Sequence, residues 1–209
     1  YAFEAGKRAI EAHYKRMGIK AIVEHGDDWG FYKTTYEIEG SPLLSIVIPN
    51  KDHVTDLKKC MDAIDEKSDY RNYEYVIVEN NSEQDETFKF YDKISKRKNV
   101  NVLYWKDEFN YSAINNYGVA NAKGEYVLLL NNDTEIINSD CLSQMIGYCQ
   151  REEVGAVGAR LYYEDGSIQH AGVVIGFGGI AGHAFVGLRE EAGLYQSRTK
   201  VACDYSAVT

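Results

Sequence analysis

Tyr126-Val-Leu-Leu-Leu-Asn-Asn-Asp133 decides the fold: an unbroken apolar run that halts at two amides and a carboxylate. Strands that are apolar at every position lie inside parallel sheets covered on both faces, so this segment is expected to be a buried strand with polar groups at its tip. Two earlier stretches have the same form, Ser45-Ile-Val-Ile-Pro-Asn50 and Tyr75-Val-Ile-Val-Glu-Asn-Asn81. Open α/β sheets bind ligands in the crevice outside the carboxyl ends of their strands, which makes Asn50, Glu79 and Asp133 candidates for one shared ligand.

Working outward, the spacing predicts a helix over 4–17 ended by Gly18, a short strand over 34–39, and then an alternation. Strands are expected at 44–48, 74–79, 100–104, 125–130 and 155–161, with helices near 54–66, 84–97, 111–122 and 139–151. Such alternation implies a doubly wound, mostly parallel sheet with right-handed crossovers. Beyond residue 162, Asp165-Gly166 signals a turn, and a strand over 173–177 precedes a glycine-rich loop around Gly178 to Gly182. The expected division is an N-terminal arm, 1–41, followed by a domain over 42–209.

The 209 residues bury one sizeable core. A net charge of −9 argues against nucleic-acid binding, since phosphate backbones require clustered Lys and Arg. The one dense basic run, Lys93 to Lys98, reads as a solvated helix end. Cys60, Cys141, Cys149 and Cys203 lack metal-site spacing and read as reduced packing residues. Neither a signal peptide nor a spanning helix is legible, so a cytosolic setting is expected, at the inner face of a membrane if a partner is membrane-associated. The first residue, Tyr1, and the last, Thr209, read as cuts in a longer protein.

Each candidate has two readings. Asp133 is either a cap for the amides of Glu135 and Ile136 or a ligand for Mg²⁺ or Mn²⁺, cations that take one or two carboxylates plus substrate phosphates. Glu79 is either a turn acid or an acceptor for nucleoside N–H and O–H groups, because a carboxylate accepts and would repel phosphate. Asn50 and Asp52 lie where backbone amides most readily meet a ligand. His183, in Gly182-His183-Ala-Phe185, is either a packing residue or a donor to a diphosphate oxygen.

Together these segments, with Asn115-Asn-Tyr-Gly118 and Ala122-Lys-Gly-Glu125 leading into the run first quoted, resemble the nucleotide-sugar half of a family 2 glycosyltransferase with the GT-A fold, a Rossmann-like sheet. Gly155-Ala-Val-Gly-Ala-Arg160 and Asp165-Gly-Ser-Ile-Gln-His-Ala-Gly172 resemble the bacterial, rhamnosyltransferase-like branch that builds cell-surface polysaccharide. The resemblance implies that Pro49, Asn50 and Asp52 border the nucleotide, Glu79 contacts the base and Asn116 lies near the diphosphate. It also implies that Asn131, Asn132 and Asp133 fill the Asp-x-Asp position with Asp133 on the metal. Two departures stand out: Asn131 replaces the first Asp, and Asn115 stands where a basic residue is common.

The implied activity is inverting, metal-dependent transfer from a UDP- or dTDP-linked sugar to a saccharide or lipid-linked saccharide. The general base is expected past Thr209, with Asp204 as a substitute, so the segment alone is expected to bind donor and metal without transfer. A binding module without transfer is the alternative. A nucleotidyltransferase is disfavoured, because Pro49-Asn-Lys-Asp52 lacks the glycine-rich phosphate loop.

Overall fold

In the computed structural model, residues 1–189 and 198–209 are described. They form two compact units, Glu39–Ser143 and Tyr1–Ile38 with Gln144–Thr209.

In the second of these units, α1 (Ala2–Met17) ends at Gly18, whose φ of 70° satisfies the expected left-handed cap. The arm then forms a hairpin of two antiparallel strands, β1 (Ala21–His25) and β2 (Tyr32–Tyr36), where the sequence showed only one strand, over 34–39, which overlaps β2 but is displaced toward the C-terminus. In β1 only Val23 is buried, so its sequence carries almost no amphipathic signal and the pairing with β2 defines it. Helix α1 is fastened to the hairpin by Tyr32 Oη donating to the Phe3 carbonyl at 2.8 Å and by a Phe3–Trp29 ring contact at 5.1 Å.

The other unit holds the sheet. Strands β3 (Leu44–Asn50), β4 (Tyr73–Asn80), β5 (Val100–Trp105) and β6 (Tyr126–Leu129) pair in parallel in the order β5-β4-β3-β6. Between them run α2 (Val54–Lys67), α3 (Asp85–Ile94) and α4 (Tyr111–Ala120). Tyr75 reaches α2, donating to the Met61 carbonyl at 3.2 Å and to Asp65 at 3.0 Å. Its neighbours Val76 and Val78 point to the opposite face, where with Val47 they bury Ile114 of α4. Helices therefore cover both faces, the doubly wound arrangement expected. The chain steps outward from β3 to β5 and returns to the far side of β3 at β6, which places the topological switch point between β3 and β6.

The run that suggested a buried strand departs from expectation in one respect. Val127 and Leu129 are 39% and 50% exposed, because β6 pairs only with β3 and lies at the sheet edge among the described residues. Helix α5 (Cys141–Cys149) follows, with Leu142 and Ile146 buried.

The strand expected over 155–161 is absent for most of its length. Only Leu161–Tyr162, β7, is extended, and it pairs antiparallel with β8 (Ile168–His170) around the Asp165-Gly166 turn. Residues 155–160 carry no strand in the described structure, and Gly158 approaches Val208 so closely that a Cβ there would lie 2.5 Å from the valine Cβ. A second hairpin joins β9 (Val173–Ile175) to β10 (Ala181–His183) across the glycine-rich loop, shortening the strand expected over 173–177. Near the end of the chain Ala207 forms an isolated antiparallel bridge to Val173.

Candidate functional site

Polar side chains gather at the carboxyl ends of β3 and β4. Asn50, 3% exposed, donates through Nδ2 to the Tyr91 hydroxyl at 2.6 Å and to the Asp52 carbonyl at 2.9 Å. Tyr91 Oη in turn donates to Glu79 Oε2 at 2.8 Å, and Ser82 supplies its N–H at 2.5 Å and its hydroxyl at 2.6 Å to the same carboxylate. Asn132 reaches across from the segment after β6, donating to Asn50 Oδ1 at 2.6 Å. Two of the residues named from sequence, Asn50 and Glu79, are thus bonded into one network with Asn132, while Asp133 stands outside it, and burial pushes the Tyr91 hydroxyl far up, keeping it a donor.

Asp52 has a different local task. Its carboxylate accepts from the amides of Glu83 and Gln84 at 3.0 Å and from the Thr87 hydroxyl at 3.2 Å, so it caps the start of α3. The Gln84 amide leads in holding its carboxyl below the usual range. Glu79 is buried and accepts three hydrogen bonds, one fewer than the roughly four lone-pair positions of a carboxylate.

Beside the network lies a cavity of about 320 Å³, lined by Pro49, Asn50, Lys51, Asn80, Asn81, Phe109 and Ile114. Asn80 is 5% exposed and its Nδ2 has no partner among the described residues, a buried donor that costs free energy unless a ligand or water meets it. The loops at the cavity carry left-handed backbone at Asp52, His53 and Asn81, conformations that non-glycine residues adopt at a cost. Sequence reasoning missed Lys51, Asn80, Phe109 and Tyr91. Asn80 and Lys51 were findable from their places at strand ends, whereas Tyr91 reads as an ordinary helix packing residue.

Asn131 and Asp133 occupy the turn after β6. Asn131 Oδ1 accepts from the Tyr111 hydroxyl at 3.3 Å, and its carbonyl accepts from Cys60 Sγ at 3.8 Å. Burial pushes that thiol up to about 12, so it stays an S–H donor. The four cysteines are all free, as expected. Asp133 is exposed, and no hydrogen bond or ion pair to it occurs among the described residues; the capping bonds to Glu135 and Ile136 do not form. No cluster of three or more His, Cys, Asp or Glu suited to a metal occurs among the described residues. The donor set therefore fits a cation held by one carboxylate, neighbouring amide oxygens and the ligand's own oxygens, and does not form a closed protein cage. Asn116 is exposed on α4 and does not line the cavity, while Asn115 is buried with an Oδ1 that has no partner among the described residues.

His183 and Asp204 belong to the other unit. Asp204 is exposed in an irregular segment. His183 lies at the end of β10 with its Nδ1 2.8 Å from Nδ1 of buried His170. His170 Nε2 accepts from the amides of Gly172 at 3.2 Å and Thr209 at 3.4 Å, which leaves its proton on Nδ1 and makes His183 Nδ1 the acceptor. Neutral His183 consequently carries its proton on Nε2.

With this geometry in place, likeness to known proteins is informative. The sequence model of Glycosyl transferase family 2 matches residues 45–199. An uncharacterised protein of Sinorhizobium fredii (strain NBRC 101917 / NGR234), y4gI, is 44% identical over 211 residues, covering 100% of this chain and 23% of the relative. The O-antigen biosynthesis protein RfbC of Myxococcus xanthus is 39% identical over 189 residues, 90% of this chain and 15% of the relative. The chain therefore spans less than a quarter of the length of either relative. Among solved structures, the mannosyltransferase PcManGT of Pyrobaculum calidifontis, in complex with GDP-Man and Mn²⁺, aligns with a TM-score of 0.52 at 17% identity, over 78% of this chain and 45% of that one. That likeness is one of fold and agrees with the expected GT-A sheet. No helix among the described residues is long and apolar enough to cross a membrane. Because the family match covers well over half of the sequence and falls on the strands that build the polar network, this chain belongs to glycosyl transferase family 2.

Proposed function

We propose that this chain forms the donor-binding part of a glycosyltransferase, taking a nucleoside-diphosphate sugar with a divalent cation for use in surface-polysaccharide synthesis. The observation that carries the reading is the orphaned Asn80 Nδ2 in a cavity at the carboxyl ends of β3 and β4, beside the Asn132–Asn50–Tyr91–Glu79 network. Such a crevice is where doubly wound sheets hold nucleotides. The relative named for O-antigen biosynthesis and the fold neighbour holding GDP-Man and Mn²⁺ support the ligand class.

In this reading Pro49 and Asn50 border the nucleoside, and Glu79 uses its remaining acceptor position on a nucleoside hydrogen. Asn131, Asn132 and Asp133 serve the cation, with Asn116 toward the diphosphate. The cation, when bound, neutralises charge developing on the diphosphate leaving group. The chain's own residues orient the donor so that an acceptor hydroxyl can approach the anomeric carbon from the opposite face, with inversion. A base must take that hydroxyl's proton, and exposed Asp204 has no described partner that would mark it for the task.

Thermal unfolding with UDP-, dTDP- and GDP-sugars, each with and without Mn²⁺, tests the proposal. Saturation at a hundred times the dissociation constant adds about 2.7 kcal/mol of stability. A cation-dependent rise with one nucleotide series is expected, and no rise with any of the three would overturn it.

A further inference from the structure

A second cleft, of about 400 Å³, lies wholly within the unit made of Tyr1–Ile38 and Gln144–Thr209, and nothing in the donor reading uses it. That volume falls in the range of small-molecule sites, roughly 300–1,000 Å³. Most of its lining comes from residues 14–36, with three more from 200–202. Tyr148 alone falls inside 45–199, so the cleft is not built from the part of the chain that the family match covers.

Its walls are aromatic, with half-buried Tyr14, Phe31, Tyr32 and Tyr148. Its floor is a chain of hydroxyls. Arg151 stacks over the Tyr36 ring at 4.7 Å and donates to the Tyr36 hydroxyl. Tyr36 Oη, on a residue 7% exposed, lies 3.2 Å from Tyr14 Oη, and Tyr14 Oη lies 3.2 Å from Thr34 Oγ1. Three hydroxyl protons share these two contacts, so one O–H is left without an acceptor among the described hydrogen bonds, and all three residues line the cleft. Burial and the Tyr14 bond push the Tyr36 hydroxyl far up, which keeps this end of the chain neutral.

The charges around the cleft balance once Arg151 is counted with Glu153, to which it is paired. Asp27 and Asp28 stand against Lys33 and Lys200, with Lys200 Nζ 3.2 Å from Asp28 Oδ1. A phosphate or polycation would find no net field there. Aromatic faces, a hydroxyl donor and carboxylate acceptors without net charge match a ligand that is apolar on one face and hydroxylated at its edges.

We propose that this cleft is a saccharide subsite that holds a short neutral oligosaccharide of the acceptor class, separate from the donor cavity. One sugar ring lies against the Tyr32 and Tyr148 faces while a sugar oxygen accepts from Thr34. The proposal rests on the reading of the chain as a sugar-transferring protein, and its test separates the two.

Isotope-labelled chain is titrated, by NMR, with a panel of neutral di- to tetrasaccharides of hexoses and deoxyhexoses. Perturbations centred on Thr34, Tyr32 and Tyr148 are expected for at least one member. Thr34→Val, which keeps the shape and removes the hydroxyl, should weaken that binding about tenfold while the folded spectrum persists. No perturbation of these resonances by any panel member overturns the proposal, as does undiminished affinity in Thr34→Val. In the same sample a UDP-, dTDP- or GDP-sugar with Mn²⁺ reports on Asn50 and Asn80. A responsive cleft with a silent donor cavity sinks the donor reading and leaves the subsite standing. The reverse sinks the subsite alone.

Discussion

Tyr91 is the residue through which two strand tips speak to each other. Its hydroxyl accepts from Asn50 and donates to Glu79, and the ring is 1% exposed, so no water is positioned to replace it. Tyr91→Phe should therefore cost about 1–3 kcal/mol, the consequence of leaving a buried amide and carboxylate each short of a partner. Urea unfolding measures this directly, and a change within error would mean that the network relaxes around the loss. Asp133 makes the opposite case, because it is exposed and bonded to nothing described. Asp133→Ala should leave the unfolding midpoint near that of the parent while abolishing the Mn²⁺ dependence of nucleotide binding. Calorimetry showing equal UDP–Mn²⁺ or dTDP–Mn²⁺ affinity in both proteins would remove Asp133 from the cation site.

Helix α4 shows how tightly the elements of the sheet unit are fitted. Gly118 faces β3 and β4, and a Cβ there would lie 2.4 Å from Val47 Cγ1 and 3.0 Å from Val78 Cγ2, both core side chains. Two effects compete in Gly118→Ala: helix propensity favours alanine by about 1 kcal/mol, and overpacking a close-packed core costs about 1–3 kcal/mol. Neither valine can swing away from the buried sheet, so net destabilisation is expected in chemical denaturation, and a stabilised variant would show that α4 shifts freely. The link from α4 to β6 is equally constrained. Ser45 Oγ donates to Glu74 Oε1 at 2.8 Å and accepts from the Gly124 amide at 2.8 Å, while Lys123 N donates to that same Glu74 oxygen at 2.8 Å. These bonds pin the start of β6 beside β3, so the turn carrying Asn132 and Asp133 follows from a clamp at the other end of the sheet.

At the scale of the molecule, acid should find two weaknesses. Burial and the neighbouring His183 hold the His170 imidazole below its ordinary 6.5, so above that pH folded and unfolded chains are both neutral at this site. As pH falls through about 6.5, the unfolded chain takes up a proton that the native site refuses, and stability declines until the lowered native value is passed. Unfolding midpoints at about pH 7.5 and about pH 5.5 should differ in that direction, and His170→Gln should shrink the difference; an unchanged difference would clear His170. Further down, burial alone would raise Asp65, but its bonds to Arg97 at 2.8 and 3.1 Å and to Tyr73 at 2.8 Å outweigh it and hold the carboxyl below 3.8. That stabilisation is complete above the unfolded value and is lost as pH falls through the lowered one. The alternation of β-branched runs with helical periods was enough to read the parallel sheet, its helices and the strand tips at Asn50, Glu79 and Asp133, because burial on both faces writes itself into every position of a strand such as β4. Hairpin strands such as β1 and β7 leave no such mark, since they are short, carry few buried positions and are defined only by pairing across a turn, and the run over 155–160 looked like a strand but carries no strand in the described structure. Nor could sequence show that Tyr91 ties Asn50 to Glu79, that Asp52 caps α3, or that residues 14–36 meet 200–202 around a cleft. Those facts depend on which side chains the fold brings within about 3 Å, a distance that local periodicity does not encode.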